Sequence, residues 1–152
     1  LAHLRAHLAA NQFSYHGVWL GELWELQHGA DSGEQFIATG WAECSRALDR
    51  LEAALANPRR DVDPCEATGS GWVAEEALAT ALQVALLFED EPSGALNGAA
   101  VTRGDSDSIA AIAGSFIGAH LGFSAWPAAW YEQIETSERL SALAAALCRI
   151  PA

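Results

Sequence analysis

The run Gly104-Asp105-Ser106-Asp107-Ser108-Ile109-Ala110-Ala111-Ile112-Ala113-Gly114 constrains the chain more than any other stretch. Carboxylates and hydroxyls alternate over four residues, and an uncharged segment of very small side chains follows at once. From Ile109 to Gly122 the bulky residues are Ile109, Ile112, Phe116, Ile117 and Leu121. Their three- and four-residue spacing makes one apolar stripe on a helix. The positions between include Gly114 and Gly118. An interior glycine costs a helix about 0.5–1 kcal/mol relative to alanine, so two of them predict neighbours packed very close. The helix reads as central and buried, with its acidic start at the mouth of the packing around it.

Two uses of that start remain open. In the first, Asp105 or Ser106 accepts the free N–H groups of the opening turn, and Asp107 sits on the positive end of the helix dipole. In the second, Asp105, Asp107 and Ser108 offer three oxygen ligands to a hard cation of the magnesium kind, leaving room for waters and a substrate oxygen.

The length of 152 residues predicts one domain spanning 1–152. Alternating β-branched segments are absent, so the expected fold class is all-α. A membrane partner is not expected, because no stretch reaches the ~18–20 uninterrupted apolar residues of a membrane span: Glu75, Glu76 and Gln83 break one candidate, Ser115 and His120 the other. A net charge of −12 with only eight basic residues argues against a nucleic-acid partner, whose phosphates need a positive face. Cys44, Cys65 and Cys148 are odd in number and far apart, which reads as reduced thiols in a cytoplasmic protein. The start at Leu1-Ala2-His3-Leu4-Arg5 lacks a signal-peptide order and an initiator Met, and reads as a cut in mid-helix.

In chain order, Leu1, Leu4 and Leu8 form a short amphipathic segment, with His3 and His7 on one face at the spacing zinc helices use and no third ligand in view. A helix is expected from about 16 to 27, with Trp19, Leu20, Leu23 and Trp24 inward and Gly29 as its left-handed cap. His16 reads first as a capping or packing residue and second as a pocket residue. Ser32-Gly33-Glu34-Gln35 has the form of a capping box. The helix it opens carries Ile37, Trp41, Cys44, Leu48, Leu51 and Leu55 as a core seam, until Asn57-Pro58 stops it. Thr68-Gly69-Ser70-Gly71-Trp72 brings glycines and an aromatic to the start of an apolar helix, Val73 to Phe88. Such a turn either lets backbone approach a ligand or is an ordinary loop with a tryptophan folded under it. Ser93 is expected to cap a short helix to Val101. Trp126-Pro127 opens another, and Leu140, Leu143, Ala144, Leu147 and Ile150 form the apolar edge of the last.

Three ordered blocks carry a resemblance. The run from Gly104 to Gly122 resembles the C-terminal signature of the ADP-ribosylglycohydrolase family, G-D-[ST]-D-[ST] before a helix rich in Ala and Gly. Gly69 to Leu78 is similar to that family's G-[YW]-V-x-E-T-L block, with Glu76 in place of its Thr. Trp126-Pro127-Ala128-Ala129-Trp130 resembles its I-P-x-x-W. The likeness covers Thr68 to about Leu147 and implies an all-α ADP-ribosylglycohydrolase-like domain. The implied activity is hydrolysis of the glycosidic bond between ADP-ribose and a protein side chain or related acceptor. It depends on two magnesium ions (Mn²⁺ being the alternative), and its partners are an ADP-ribosylated protein or an ADP-ribose-containing small molecule.

By position, the resemblance makes Asp105, Asp107 and Ser108 metal ligands. It makes Ser70, Gly71 and Trp72 substrate-binding residues, with Trp72 a wall beside the ADP-ribose. The family's Thr-Asp-Asp cluster and its catalytic acid, both nearer its N-terminus, have no counterpart here, so the catalytic residue is unassigned. The chain reads as the C-terminal part of the fold, a fragment inactive without its missing N-terminal half. The alternative is a non-catalytic helical module that binds ADP-ribose, another nucleotide-sugar or a partner protein. Arg103, where the family usually has a small or amide residue, is left between pairing with an aspartate and reaching a phosphate.

Overall fold

The structure, a computed structural model, describes residues 1–11, 23–26 and 29–149. Among them the chain forms helices and no strand, in agreement with the all-α expectation. The α-helices are α1 (Ala2–Asn11), α2 (Gly33–Ala56), α3 (Cys65–Thr68), α4 (Ala74–Leu87), α5 (Pro92–Ala100), α6 (Ser106–Leu121), α7 (Ala128–Tyr131) and α8 (Ser137–Leu147). Short 3₁₀ turns occupy Leu23–Leu26 and Phe123–Ala125. Most of the helix expected over 16–27, His16 included, lies outside the described residues. Its described part, Leu23–Leu26, is a 3₁₀ turn in which Leu26 is exposed.

The helix boundaries follow local chemistry. Ser32 accepts the Gln35 N–H at 3.2 Å, and Gln35 Oε1 in return accepts the Asp31 N–H at 2.6 Å. The capping box is therefore closed, although the return bond reaches one residue further back than the usual pattern. Asn57 caps the other end of α2, and Pro58 cannot continue it. The expected Ser93 cap is not formed. Pro92 takes the first helical position, with Glu91 before it and Ser93 already inside the turn. Proline's fixed φ and missing N–H suit that position. The Glu91 carboxylate goes instead to Arg60, at 2.5 Å. Gly122, with φ of 80°, ends α6 and returns its N–H to the Gly118 carbonyl at 2.9 Å. An L-residue adopts that φ only with strain.

The packing places α4, not α6, at the centre. Eight residues of α4 are buried against three of α6. One side of α4, through Ala79 and Leu82, meets Ala47, Leu48 and Leu51 of α2. The other, through Ala81, Val84 and Ala85, meets Ala95 and Ala99 of α5 and Ile109, Ala113 and Ile117 of α6. Leu51, Ile109 and Ile117 are among the largest side chains removed fully from solvent, each worth about 1.5–3 kcal/mol. Helix α6 buries only the face Ile109, Ala113, Ile117. Ile112 and Leu121 are half-buried at its border, and Phe116 is exposed. The seam expected along α2 is likewise narrower, with Ile37, Trp41, Cys44 and Leu55 only half-buried. The apolar edge of α8 is exposed at Leu140, Leu143 and Leu147, and Ile150 lies outside the described residues.

The two α6 glycines also correct an expectation. A Cβ on Gly114 would first meet Leu96 Cδ1 at 3.6 Å, and one on Gly118 would meet Trp126 Nε1 at 3.6 Å. Both are ordinary contacts, so neither glycine is there for close approach. Gly114→Ala and Gly118→Ala are each expected to raise stability by about 0.5–1 kcal/mol, through helix propensity and a less flexible unfolded chain. Urea unfolding followed by circular dichroism checks this. A loss of stability would restore the close-packing reading.

Candidate functional site

The connection between α3 and α4 is built on glycine conformation and a buried polar cluster. Gly69 and Gly71 take φ of 111° and 77°, values that L side chains rarely adopt. Beneath them, the Thr68 hydroxyl donates to Gln83 Oε1 at 2.9 Å and lies 2.8 Å from Thr80 Oγ1. Thr80 donates to the Gly69 carbonyl at 3.0 Å. Thr68, Thr80 and Gln83 are all buried, and among the described residues every buried side-chain N or O has a partner. Glu76 accepts the Gly71 N–H at 3.3 Å and faces Arg50 at 3.7 Å. Threonine and glutamine inside an otherwise apolar helix mark this cluster in the sequence, yet sequence reasoning assigned them no role.

The acidic turn is held from two sides. Asp63 accepts the Cys65 N–H at 3.0 Å on one oxygen and the Arg103 N–H at 2.8 Å on the other. Arg103 thus meets an aspartate through its backbone, and its guanidinium makes no ion pair among the described residues. Two residues further on, the Asp105 N–H donates to the Ser70 carbonyl at 2.8 Å. This bond joins the glycine loop to the acidic turn. Gly104 is required at the joint, because a Cβ there would run into that carbonyl oxygen and sit 2.9 Å from Cys65 Sγ. Gly71 rests on α6 equally closely: a Cβ would lie 2.8 Å from Ile109 Cδ1.

Of the residues singled out from sequence, Ser70 and Gly71 therefore lie against Asp105 and Ile109, and Gly71 is buried. Trp72 stands at the end of the loop, ahead of the α4 N-cap Val73, with 73% of its surface exposed. It is not folded under the loop. Asp105 is the N-cap residue of α6, but its side chain makes no capping hydrogen bond, so it does not cap the helix in the expected way. Asp107 lies in the first turn, exposed, and Ser108 follows it half-buried. Hydrogen bonding with the Asp105 side chain holds the Asp107 carboxyl below its usual range, assisted by the N–H groups of Asp107 and Ser108.

Two carboxylates two residues apart at the start of α6, one of them not spent on capping, fit a divalent ion that keeps several of its waters. They do not make a closed metal cage: among the described residues no three His, Cys, Asp or Glu side chains converge on one point. His3 and His7 likewise gain no third partner.

The ADP-ribosylglycohydrolase family model matches residues 2–151. The chain belongs to the ADP-ribosylglycohydrolase family. The match extends the likeness from the region after Thr68 back through α1 and α2. No curated protein and no solved structure matches the chain. At the family level this makes the protein a glycosidic hydrolase of an all-α class whose members generally bind divalent metals. No helix among the described residues is long and apolar enough to cross a membrane.

The cause of the Asp107 shift gives a direct check. Asp105→Ala removes the largest contribution to that lowering, so the Asp107 pKa is expected to rise toward the ordinary carboxylate range. The depressed folded-state value means that the associated stability is present above the ordinary Asp range and lost as pH falls through the lowered pKa. In Asp105→Ala that loss moves to higher pH. Carboxyl-carbon NMR titration of Asp107 in both proteins reads it, and an unmoved titration would remove Asp105 as the cause.

Proposed function

We propose that this chain forms part of a magnesium-dependent site, with Mn²⁺ as an alternative ion, for hydrolysing the glycosidic bond between ADP-ribose and a protein side chain or related acceptor. The observation that carries the reading is the bond from the Asp105 N–H to the Ser70 carbonyl at 2.8 Å. It draws together two blocks that lie far apart in the chain and whose resemblance to the family's blocks implies metal and ADP-ribose binding.

In this reading Asp105, Asp107 and Ser108 hold the divalent ion, which when bound supplies positive charge to orient water and ribose hydroxyls. Ser70 and Gly71 bring backbone close to the ligand, where a side chain would intrude. Trp72 offers an exposed ring face for stacking on a sugar or base. Departure of the acceptor builds positive, oxocarbenium-like charge on the ribose, and the acidic turn is a favourable neighbour for that charge. Protonation of the departing acceptor needs a general acid, and no residue gathered at this turn is placed for it.

Two carboxylates and one hydroxyl hold Mg²⁺ weakly, because the ion gives up water reluctantly without further oxygen ligands. In this reading the remaining ligands and the acid come from outside the described residues, and the chain alone is inactive. The same shortage of ligands favours a second reading, in which the chain binds ADP-ribose or a related nucleotide-sugar without turning it over.

Release of ADP-ribose from modified protein distinguishes them. The 152-residue chain is expected to release none with Mg²⁺ or Mn²⁺. A polypeptide extended with the upstream sequence of its reading frame is expected to be active, and Asp105→Ala and Asp107→Ala should each abolish its turnover without rescue by added metal. Binding of ADP-ribose with no release from either polypeptide would establish the second reading. Metal-dependent release by the short chain would show that half of the active site has been misplaced.

A further inference from the structure

The Ser70 carbonyl and the Gly71 N–H belong to one peptide unit, and both are engaged from opposite sides. The carbonyl accepts the Asp105 N–H at 2.8 Å, and the N–H donates to Glu76 Oε2 at 3.3 Å. The carbonyl and N–H of a trans peptide point in opposite directions, so Glu76, the peptide and Asp105 form a line. Glu76 is in turn anchored by Arg50. The guanidinium lies 3.7 Å from Glu76 Oε1, and Arg50 Nε donates to the Thr68 carbonyl at 3.4 Å. Gly69 leaves room for this arrangement, because a Cβ there would sit 2.7 Å from Glu76 Cγ and Oε1.

We infer that Arg50 and Glu76 are positioning residues for the acidic turn, acting on Asp105 through the Ser70–Gly71 peptide without touching the turn themselves. The inference rests on the reading of Asp105 and Asp107 as metal ligands only for its functional consequence.

The physical need for such a device lies in Gly71. A glycine with φ of 77° keeps the flipped orientation of the preceding peptide sterically accessible. Flipping would turn the Ser70 carbonyl away from Asp105 and leave the Asp105 N–H without its partner. Burial does not decide between the two orientations, since it carries no direction. A hydrogen bond to the N–H end does. Glu76 is suited to this because it stands in the first turn of α4, whose position both core clusters fix, and so ties a mobile peptide to a rigid helix. The backbone of Asp105 is non-helical, with φ of −73° and ψ of 74°. The direction of its carboxylate therefore depends on where its N–H is held.

The test uses the 152-residue chain, with Glu76→Ala, Glu76→Gln, Arg50→Ala and the pair Asp105→Ala and Asp107→Ala. Amide hydrogen exchange by NMR is read at Asp105 and, as controls, at Val84 and Ala113 in the helices either side. Binding of Mn²⁺ alone is read by electron paramagnetic resonance. In Glu76→Ala the Asp105 N–H is expected to exchange about three- to tenfold faster, with Val84 and Ala113 unchanged, and Mn²⁺ to bind about three- to tenfold more weakly, the range of one neutral hydrogen bond. Glu76→Gln keeps an acceptor for Gly71 and is expected to recover most of both effects. Arg50→Ala is expected to give only about a twofold change, as befits a partly exposed ion pair.

Unchanged Asp105 exchange in Glu76→Ala overturns the inference. So does acceleration shared by all three amides, which would mean general loosening. Faster Asp105 exchange with unaltered Mn²⁺ affinity overturns the positioning role, provided that Asp105→Ala and Asp107→Ala abolish binding. If those two variants bind Mn²⁺ as well as the unaltered chain, the metal reading itself has failed, and the exchange result alone then decides for or against the link from Glu76 to Asp105.

Discussion

One hydrogen bond, from the Asp105 N–H to the Ser70 carbonyl, decides what this protein can present to a ligand. Its net worth is about 0.5–1.5 kcal/mol, less than the burial of Ile109 or Leu51. Its importance is direction. Apolar packing brings α6 against α4 and α5 without specifying how the loops at their ends meet. The bond does, and it imposes its own sequence requirement: only glycine at 104 leaves space for the carbonyl. Asp63 adds a second restraint by holding Arg103 and Cys65 through its two oxygens. The acidic turn is thus fixed at both its entrance and the N-cap of α6.

The scaffold beneath is set by the small residues of α4. Ala77, Ala79, Ala81 and Ala85 let neighbouring helices approach on two sides, and this is why α4 rather than α6 is the most buried element. Such a helix has little room for polar atoms, and Thr80 and Gln83 are tolerated because both are hydrogen-bonded within the Thr68 cluster. An unpartnered hydroxyl or amide there would cost about 1–3 kcal/mol. The cluster also holds the Gly69 carbonyl, so the need to satisfy buried polar groups and the shaping of the glycine loop are met by the same side chains. Polar support of this kind is directional in a way that the alanine contacts are not.

At the surface, the chain exposes the Asp107 carboxylate on one of the two joined loops and the Trp72 ring on the other. The Asp107 carboxyl, at the start of α6, is held below its usual range, a disposition that favours a cation or a developing positive charge. Family membership and this local chemistry point the same way, although the two kinds of support are separate. The first concerns the chain as a whole, and the second concerns four or five atoms. Among the described residues no three His, Cys, Asp or Glu side chains converge, and this is the physical basis for proposing that Asp105, Asp107 and Ser108 form part of a site and not all of one.

Much was legible from residue order alone. The spacing of Ile109 and Ile117, the Ser32 cap and the glycine at 122 are local signals, and the structure carries each of them out. Gly69, Ser70, Gly71, Asp105 and Asp107 stand out through the resemblance of their two blocks to the family's, whereas spacing alone leaves them readable as an ordinary loop and a capped helix start. Local signals failed where the outcome depended on what lies opposite. Gly114 and Gly118 read as close-contact positions, but only the neighbours Leu96 and Trp126, each at 3.6 Å, show that they are not. The leucines of α8 have helical periodicity, which defines a face without providing anything to cover it. Glu76 looked like a simple departure from a pattern, and its tie to Gly71 and Arg50 exists only once α2, α4 and the loop have met. By itself the sequence determined most of the described helices, the ends set by Ser32, Pro58 and Gly122, and the chemical character of the acidic turn, because those depend on neighbours within a few residues. The tertiary structure alone decided which helix is central, which carbonyl Asp105 meets and which side chains hold that carbonyl in place, because those depend on contacts between residues far apart in the chain.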